Sequence, residues 1–245
     1  MCGIVGFQGE FAGDLLSRMN AVVAHRGPDG DGAMLMVVDG QPATGLGHRR
    51  LAIIDLSGAG RQPMTVGPDA AGGMQAGLTL VFNGEIYNYR ELRAELASAG
   101  HVFRTATDSE VLLHLYERDG LAMLARLNGI FAFAIYDGRP DGRPTGVDRG
   151  ALFLARDPLG VKPLYYAEGP RGLLFASEIK AILCDRELSR ELDPAALHYM
   201  LAYLWTPSPA TMLAAVRKLE PGYALLVNRG RVVRNSARAT QLERK

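Results

Sequence analysis

Short apolar runs separated by glycine, proline and aspartate recur along the chain. The first, from Cys2 to Phe7, is bounded by glycines and predicts a buried strand that begins with the first residues. Further runs predict strands at 33–38, 51–54, 78–82, 129–136, 151–155 and 173–176. Apolar positions three and four residues apart, preceded by capping residues, predict helices at 14–24, 89–99, 109–118 and 193–204.

The order of these elements indicates the fold class. Helices come in groups instead of alternating with strands, which favours antiparallel sheets covered by helices over a doubly wound parallel sheet. We therefore predict an α+β fold in one compact domain. Segments 66–77 and 138–150, where glycine is frequent, are predicted to be surface loops.

Composition limits the function classes. Lys and Arg total 27 against 26 for Asp and Glu, so the formal net charge of +1 offers no field that would attract nucleic acid or an acidic membrane surface. A small-molecule substrate fits better. The 2 cysteines, Cys2 and Cys184, lack paired spacing, which indicates a reduced, cytoplasmic protein. No run of about 18 apolar residues predicts a membrane span, and no secretory leader pattern is seen.

Cys2 combines two reactive groups if the initiator methionine is removed. The new N-terminus then carries a thiol and a free α-amine, whose ordinary pKa of roughly 7.7 to 8.0 suits a general base near neutral pH. One residue would supply both nucleophile and base. The alternative from this position alone is a small apolar residue at the start of a strand.

Three further segments contain groups that suit acyl transfer. Asn83 and Gly84 follow a predicted strand, where an amide side chain and a backbone N–H can stabilise an oxyanion, although Asn-Gly is also a common hairpin turn. Arg49 and Arg50 precede an apolar run, and a guanidinium there can hold a carboxylate or lie on the surface. Asp108 begins a helix, where it is an N-cap or a receptor for an ammonium group.

Other polar residues favour structural roles. His25 and Arg26 belong to a His-Arg-Gly-Pro turn, which is typical of a turn fixed by hydrogen bonds, and they are predicted to be structural or to orient the residues of the site. The remaining histidines show no metal-ligand spacing, so no metal site is predicted; they are His48, His101, His114 and His198. Cys184 has no neighbour in the sequence that would activate it.

Together the segments resemble one family, the class II glutamine amidotransferase domain that forms the N-terminal half of asparagine synthetases. The resemblance extends from residue 1 to about residue 227. Its matching segments are 1–6, 25–30, 47–55, 62–64, 82–88, 108–110, 128–137, 156–166 and 176–180. Their number and order carry the resemblance, since no single segment is specific.

The resemblance implies a four-layer αββα sandwich of the N-terminal-nucleophile hydrolase type, with Cys2 at a strand end inside a small cleft. It also implies that Cys2 attacks the side-chain amide of L-glutamine, that ammonia leaves, and that water releases glutamate from the thioester. Asn83 and Gly84 match the family's oxyanion hole. Arg50, rather than Arg49, matches the arginine that holds the α-carboxylate.

The same resemblance supplies the rest of the substrate site. Asp108 and Glu85 match residues that receive the α-amino end of glutamine. Ile53 and Ile54 match strand residues whose main chain lines the pocket. This assignment is physically sensible because a free amino acid needs a cation for its carboxylate and an anion for its ammonium group.

The chain departs from an asparagine synthetase beyond residue 227. Residues 228–245 contain 5 arginines and a lysine and are predicted to form a basic, disordered tail. The synthetase half has a Ser-Gly-Gly-x-Asp-Ser phosphate loop, which is absent here, as is a Walker-type segment. No cofactor is therefore expected in this chain, and ATP and Mg²⁺ enter only if a synthetase domain is supplied elsewhere. A synthetase domain or chain that receives ammonia is the expected partner, and an oligomer is left open.

The sequence leaves two alternatives open. The chain is also compatible with the glutaminase half of another class II amidotransferase, such as a glucosamine-phosphate synthase, although segments 83–88 and 156–166 favour the asparagine-synthetase type. A non-catalytic remnant or binding module is the second alternative, against which the presence of Cys2 weighs.

Overall fold

A computed structural model describes residues 1–37, 43–67, 77–139 and 149–237. The strands in these ranges are β1 (Gly3–Gly9), β2 (Gly30–Met36), β3 (Thr44–Arg50), β4 (Met64–Val66), β5 (Leu78–Ile86), β6 (Gly129–Asp137), β7 (Ala151–Arg156), β8 (Tyr165–Gly169), β9 (Gly172–Ala176), β10 (Arg217–Lys218), β11 (Tyr223–Asn228) and β12 (Arg231–Ala237). The α-helices are α1 (Leu15–Val22), α2 (Tyr89–Ser98), α3 (Asp108–Asp119), α4 (Ile179–Ile182) and α5 (Pro194–Tyr203).

The strands form two six-stranded antiparallel sheets. The first sheet has the order β10-β8-β9-β1-β3-β2, and the second has the order β12-β11-β7-β6-β5-β4. The register is continuous across the central pairs, with Gly3 opposite Arg49 in β1 and β3, and Asn83 opposite Ala132 in β5 and β6. The α+β prediction is therefore confirmed.

Three apolar clusters show how the layers stack. One cluster joins residues of both sheets, among them Ile4 and Phe175 from the first and Val81 and Leu152 from the second. A second cluster packs α2 and α3 on the outer face of the second sheet, and a third packs α1 and α4 on the outer face of the first. The layers therefore run helix, sheet, sheet, helix, as the four-layer prediction requires.

Helix α3 begins at the edge of the second sheet because its first turn is capped. The Thr107 hydroxyl accepts a hydrogen bond from the backbone N–H of Glu110, so Thr107 is the N-cap and Asp108 is the first helical residue. The helix ends at Gly120, whose φ of 57° lies in the left-handed region that favours glycine. The N-cap interpretation of Asp108 was wrong, and its carboxylate is available for other contacts.

The prediction of a strand at 51–54 is wrong. The strand in this region, β3, ends at Arg50, and the next two backbone N–H groups are taken by side chains: Leu51 donates to Cys2 Sγ at 3.3 Å and Ala52 donates to Asp29 Oδ2 at 2.9 Å. Strand β3 was missed because its glycines interrupt the apolar pattern. A Cβ on Gly47 would lie 2.7 Å from the Val5 side chain, so the strand requires glycine at this point.

The fold also continues past residue 227, which corrects the predicted domain boundary and the start of the tail. Strand β12 pairs with β11 across a tight turn in which Arg229 and Gly230 have φ values of 50° and 73°. Positive φ at both central residues is typical of a hairpin turn that suits strand twist. Arg231 and Arg234, two of the arginines that indicated a solvated tail, lie on this paired strand at the sheet edge. Residues 238–245 lie outside the described ranges, as do 68–76 and 140–148 of the predicted loops and Val38 of the predicted strand.

Within the described residues, the helices are too short to cross a bilayer. Helix α3 has 12 residues, whereas a spanning helix needs about 20. None of the described helices meets the requirement for a membrane span.

Candidate active site

All the residues predicted for the site line one cleft, to which the first sheet contributes the end of β3 and the residue just before β1, and the second sheet contributes the last residues of β5. They are Cys2, Arg50, Ile53, Ile54, Asn83, Gly84, Glu85 and Asp108. The cleft volume of about 110 Å³ is well below the roughly 300–1,000 Å³ of pockets for drug-sized ligands. The cleft therefore suits a ligand of amino-acid size.

Cys2 lies just before β1, with its thiol half-buried in the cleft. Its Sγ accepts a hydrogen bond from Leu51 N at 3.3 Å and lies 3.5 Å from Leu51 O. Burial raises the pKa of this thiol, and the Leu51 N–H, the N-terminal amine, Lys162 and Arg50 only partly oppose that effect. The resting thiol is thus protonated near neutral pH and needs a base before it can attack a carbonyl.

Arg26 fixes the main chain of Cys2. Its Nε donates to Cys2 O at 2.9 Å, and its Nη1 donates to Glu178 Oε1 at 2.9 Å. Glu178 also receives His25 Nε2 at 2.8 Å and Lys180 Nζ at 3.1 Å. The predicted His25–Arg26 turn is therefore tied to the start of α4, and its arginine holds the Cys2 carbonyl in place.

The charge on Glu178 contributes to stability. Partial burial alone would raise its pKa, but hydrogen bonds from Arg26, His25 and Lys180 lower the pKa to about 2 from 4.5. The ionised form is thus favoured by folding above pH 5, and this stability is lost as the pH falls towards 2. Glu178→Gln should lower the free energy of unfolding at pH 7 by about 1 kcal/mol, because solvent screens these ion pairs.

Urea unfolding at pH 7 and at pH 3 tests this expectation. The difference between wild type and Glu178→Gln should be largest at pH 7 and shrink at pH 3. Glu187 is the matched control, since its pair with Arg171 is 3.4 Å long and its side chain is 73% exposed. A Glu178→Gln deficit that is equal at both pH values would show that the carboxylate charge is not its source.

Asn83 and Gly84, near the end of β5, line the same cleft as Cys2. Asn83 is buried, and its Nδ2 has no hydrogen-bond partner among the described residues, although it lines the cleft. A buried donor without an acceptor costs about 1–3 kcal/mol, so its presence indicates a role beyond folding. Gly84 is required by the sheet, because a Cβ there would lie 2.3 Å from Ile130 O.

Arg50 and Arg49 point in opposite directions, as neighbours on a strand do. Arg49 Nε donates to Asn20 O at 2.9 Å, on the α1 side of the first sheet. Arg50 Nη1 donates to Ser57 O at 2.7 Å, and its Nη2 donates to Asp55 O. Two loop carbonyls thus fix the Arg50 guanidinium at the cleft and leave it N–H groups with which to bind an anion.

Asp108 and Glu85 place negative charge at another part of the cleft. Burial, together with the smaller effect of the Glu85 charge, raises the pKa of Asp108 to about 6, although a hydrogen bond from Ile86 N at 3.0 Å opposes this rise. A buried carboxylate of this kind favours a cation nearby. Ile53 and Ile54 lie in the loop after β3, where they are 60% and 39% exposed, and both line the cleft.

His48 also lines the cleft, although no sequence motif predicts a site role for it. Burial lowers its pKa to about 4, so the imidazole is neutral near pH 7. Its Nε2 lies 3.1 Å from Phe82 O, and because a carbonyl only accepts, Nε2 carries the proton. His48 thereby joins β3 of the first sheet to β5 of the second. The sequence did not predict this role because a lone histidine beside two arginines matches no known motif.

Gln62 is a second residue of this kind. Its Oε1 accepts from Phe82 N at 2.6 Å, and its Nε2 donates to Ser109 Oγ at 3.1 Å. The side chain therefore holds the strand that precedes Asn83 against the first turn of α3, where Asp108 lies. Lys162 also lines the cleft and adds positive charge near Cys2.

Known proteins are similar to this chain in sequence and in fold. Asparagine synthetase (glutamine-hydrolyzing) 1 of Bacillus subtilis is 37% identical over 229 residues, covering 91% of this chain and 33% of that protein. A putative asparagine synthetase (glutamine-hydrolyzing) of Mycobacterium bovis is 39% identical over 236 residues, covering 91% of this chain and 34% of that protein. The chain spans about one third of the length of these relatives.

Solved structures agree on the fold. A glutamine phosphoribosylpyrophosphate amidotransferase of B. subtilis has a TM-score of 0.65 at 22% identity, covering 97% of this chain and 49% of that chain. A structure described as the allosteric regulatory enzyme of purine biosynthesis gives 0.67 at the same identity and coverage. A family model described as a glutamine amidotransferase domain matches residues 1–237. The chain therefore belongs to the glutamine amidotransferase domain family.

Proposed function

We propose that this domain hydrolyses the side-chain amide of L-glutamine to glutamate and ammonia through a thioester on Cys2. The observation that carries the proposal is the unpaired, buried Asn83 Nδ2 in the same cleft as the Cys2 thiol. A donor held without an acceptor suits the oxyanion of a tetrahedral intermediate, which exists only during reaction. Gly84 N–H supplies the second donor.

Removal of Met1 exposes the α-amine of Cys2. The neutral amine takes the thiol proton as Sγ attacks the amide carbon, and the oxyanion is stabilised by Asn83 and Gly84. The amine then gives its proton to the departing nitrogen, so ammonia leaves and the thioester remains. Water, deprotonated by the same amine, attacks the thioester, and glutamate leaves with restoration of the thiol.

Recognition of the substrate follows from charge. Arg50 binds the α-carboxylate of glutamine, because its guanidinium is already oriented by Ser57 O and Asp55 O. Asp108 and Glu85 bind the α-ammonium group, and the main chain of Ile53 and Ile54 lines the cleft between these charges. Fixing both ends of a free amino acid sets the distance at which its side-chain amide meets Cys2.

Incubation of the purified, Met1-processed chain with L-glutamine tests the proposal. Glutamate and ammonia should appear in equal amounts, and asparagine, one methylene shorter, should react far more slowly because its amide falls short of Cys2. Equal rates with both amides would contradict the proposed recognition of the two charged ends. Absence of any turnover, together with absence of a thioester on Cys2 by mass spectrometry, would contradict the proposed function.

Asp108→Asn should change activity and stability in opposite directions. Burial disfavours the ionised Asp108 carboxylate in the folded protein. Its pKa rises from 3.8 to about 6 on folding, and this rise corresponds to about 3 kcal/mol of lost folding stability above pH 6. The variant should therefore be more stable than wild type at pH 8, by up to that amount, and similar at pH 3.5. Its KM for glutamine should rise roughly 30-fold or more, as expected when about 2 kcal/mol of charge pairing is lost.

Thermal unfolding at both pH values and steady-state kinetics measure these effects. In the wild type, the same carboxylate predicts a KM that rises as the pH falls below about 6, because protonation removes the partner of the ammonium group. The variant should lack that rise. A variant that is less stable at pH 8, or whose KM keeps the wild-type pH dependence, would contradict the assignment.

The ammonia acceptor belongs to the same proposal. We propose that a synthetase domain or chain that makes asparagine from aspartate with ATP receives the ammonia, since the curated relatives are named asparagine synthetases and are about three times as long as this chain. ATP and Mg²⁺ would bind there, and this domain needs no cofactor for the thioester chemistry. A cytoplasmic location fits this chemistry because the thiol must stay reduced.

A further inference from the structure

Three side chains on the helical side of the second sheet bring their ligand atoms together, and none of them lines the catalytic cleft. His101 follows α2, whereas His114 and Glu117 lie one turn apart on α3. His101 Nδ1 and His114 Nδ1 are 3.2 Å apart, and they lie 3.4 Å and 3.2 Å from Glu117 Oε2. These residues are called the His–His–Glu cluster.

Hydrogen bonds alone do not satisfy the two Nδ1 atoms and Glu117 Oε2 at the same time. A neutral imidazole nitrogen directs either one proton or one lone pair along a single direction. Protons on both Nδ1 atoms would set two N–H groups against each other 3.2 Å apart. A proton on only one Nδ1 would leave the lone pair of the other facing the carboxylate oxygen. A cation at the centre satisfies all three atoms at once.

The spacing fits a transition-metal ion. Nitrogen and oxygen ligands bind Zn²⁺ at about 2.0–2.1 Å, so two ligand atoms of a tetrahedral site are roughly 3.3–3.4 Å apart. The observed separations of 3.2–3.4 Å match this edge length. Two imidazoles and one carboxylate are a donor set that suits Zn²⁺ and related divalent metals.

The surroundings of His114 favour the tautomer that a metal requires. Its Nε2 is buried, has no hydrogen-bond partner in the described part of the chain, and lies 3.9 Å from Glu110 Oε1. Glu110 is held in place by the N–H groups of Arg104 and Thr105, both at 2.7 Å. A carboxylate facing Nε2 favours the proton on that nitrogen, which leaves the Nδ1 lone pair to bind a metal.

The positive charge of Arg139 interacts electrostatically with Glu117, but the Arg139 guanidinium is hydrogen-bonded to another carboxylate. Its Nε and Nη2 donate to the two carboxylate oxygens of Asp137 at 3.0 Å and 2.9 Å. The Glu117 carboxylate, with a 37% exposed side chain, therefore remains accessible to an added ion.

We propose that His101, His114 and Glu117 form a binding site for one divalent transition-metal ion of the Zn²⁺ type. Three protein ligands leave one position for water. The ion would tie the segment after α2 to α3, whose first residue is Asp108, and so stiffen one wall of the cleft. This proposal differs from the prediction based on histidine spacing, which gives no metal site, because His101 comes from a separate segment and only the one-turn spacing of His114 and Glu117 is visible in the sequence.

Zn²⁺ titration of the chelator-treated, tag-free chain by calorimetry tests the site. Wild type should bind one equivalent with a rise in Tm. Substitution of a single ligand, His101→Ala or Glu117→Ala, should weaken binding by more than the ~10–100-fold typical of changes around a metal site. Both side chains are partly exposed, so these variants should fold, unlike a change at buried His114. The exposed His198 supplies the matched control, and His198→Ala should bind as wild type does.

The Cys2→Ala variant separates this site from the catalytic one, because a thiol and an amine also bind Zn²⁺. It should still bind one equivalent, and bound Co²⁺ should show visible d–d bands without a thiolate-to-metal charge-transfer band. Binding that is lost in Cys2→Ala and kept in His101→Ala would overturn the proposal, as would the absence of saturable binding in wild type. Neither result would affect the proposed glutamine hydrolysis.

Discussion

Replacement of Cys2 by alanine is expected to abolish glutamine hydrolysis while leaving the fold and glutamine binding intact. The nucleophile is lost, and no other described cysteine lines the cleft. Loss of a catalytic nucleophile typically costs about 10⁶-fold in kcat. The α-amine remains and has no thiol to deprotonate, so the residual rate should fall to the background of the assay.

Kinetics and calorimetry check both parts of this result. Glutamine should still bind Cys2→Ala, because Arg50, Asp108 and Glu85 are unchanged. Cys184→Ala is the matched control: that thiol is partly exposed, donates weakly to Lys180 O at 3.6 Å and should be dispensable. Hydrolysis that survives Cys2→Ala would refute the proposed nucleophile.

Asn83→Ala should have the second largest effect. Removal of one oxyanion-hole donor costs about 10²–10³-fold in kcat, and KM should change little because the oxyanion is absent from the bound substrate. The stability of the protein should hardly fall, since the lost Nδ2 group has no partner among the described residues. Loss of activity without loss of stability is the expected pattern.

Asn88, in the same segment, is the matched control, because both polar atoms of its side chain are hydrogen-bonded and its replacement is predicted to affect stability instead of activity. Its Nδ2 donates to Arg126 O at 2.9 Å, and its Oδ1 accepts from Asn128 N at 3.0 Å. Asn88→Ala should therefore lower the free energy of unfolding by about 1–3 kcal/mol and leave kcat nearly unchanged. If Asn83→Ala instead destabilised the protein and kept its kcat, Asn83 would have a structural role only.

The sequence predicted the layered fold where apolar patterns were uninterrupted. Strands such as β6 and β7 and helices such as α2 and α3 were found because their buried faces produce regular spacing. Strand β3 was missed because Gly45 and Gly47 sit beneath Phe7 and Val5, so the residues that make it pack closely remove its apolar pattern. Strand β12 was missed because arginine side chains on an edge strand stay solvated while the backbone pairs.

The candidate site was largely predicted by resemblance, and the residues around it were not. Cys2, Asn83 and Asp108 come from distant segments, and only a family pattern joins them before the fold is known. Supporting contacts escaped notice because they join side chains to backbone atoms across layers. The bonds of Arg26 to Cys2 O and of Gln62 to Phe82 N are examples. The sequence does not predict such contacts, because they depend on how distant segments pack against each other in the folded chain.

Labelling with an electrophilic glutamine analogue tests the central claim most directly. Intact mass and peptide mapping should show one adduct, on Cys2, only in molecules that have lost Met1, and excess glutamine should prevent it. Cys184 serves as the internal reference thiol. An adduct on Cys184 alone, or labelling of Cys2 that glutamine does not slow, would contradict the account.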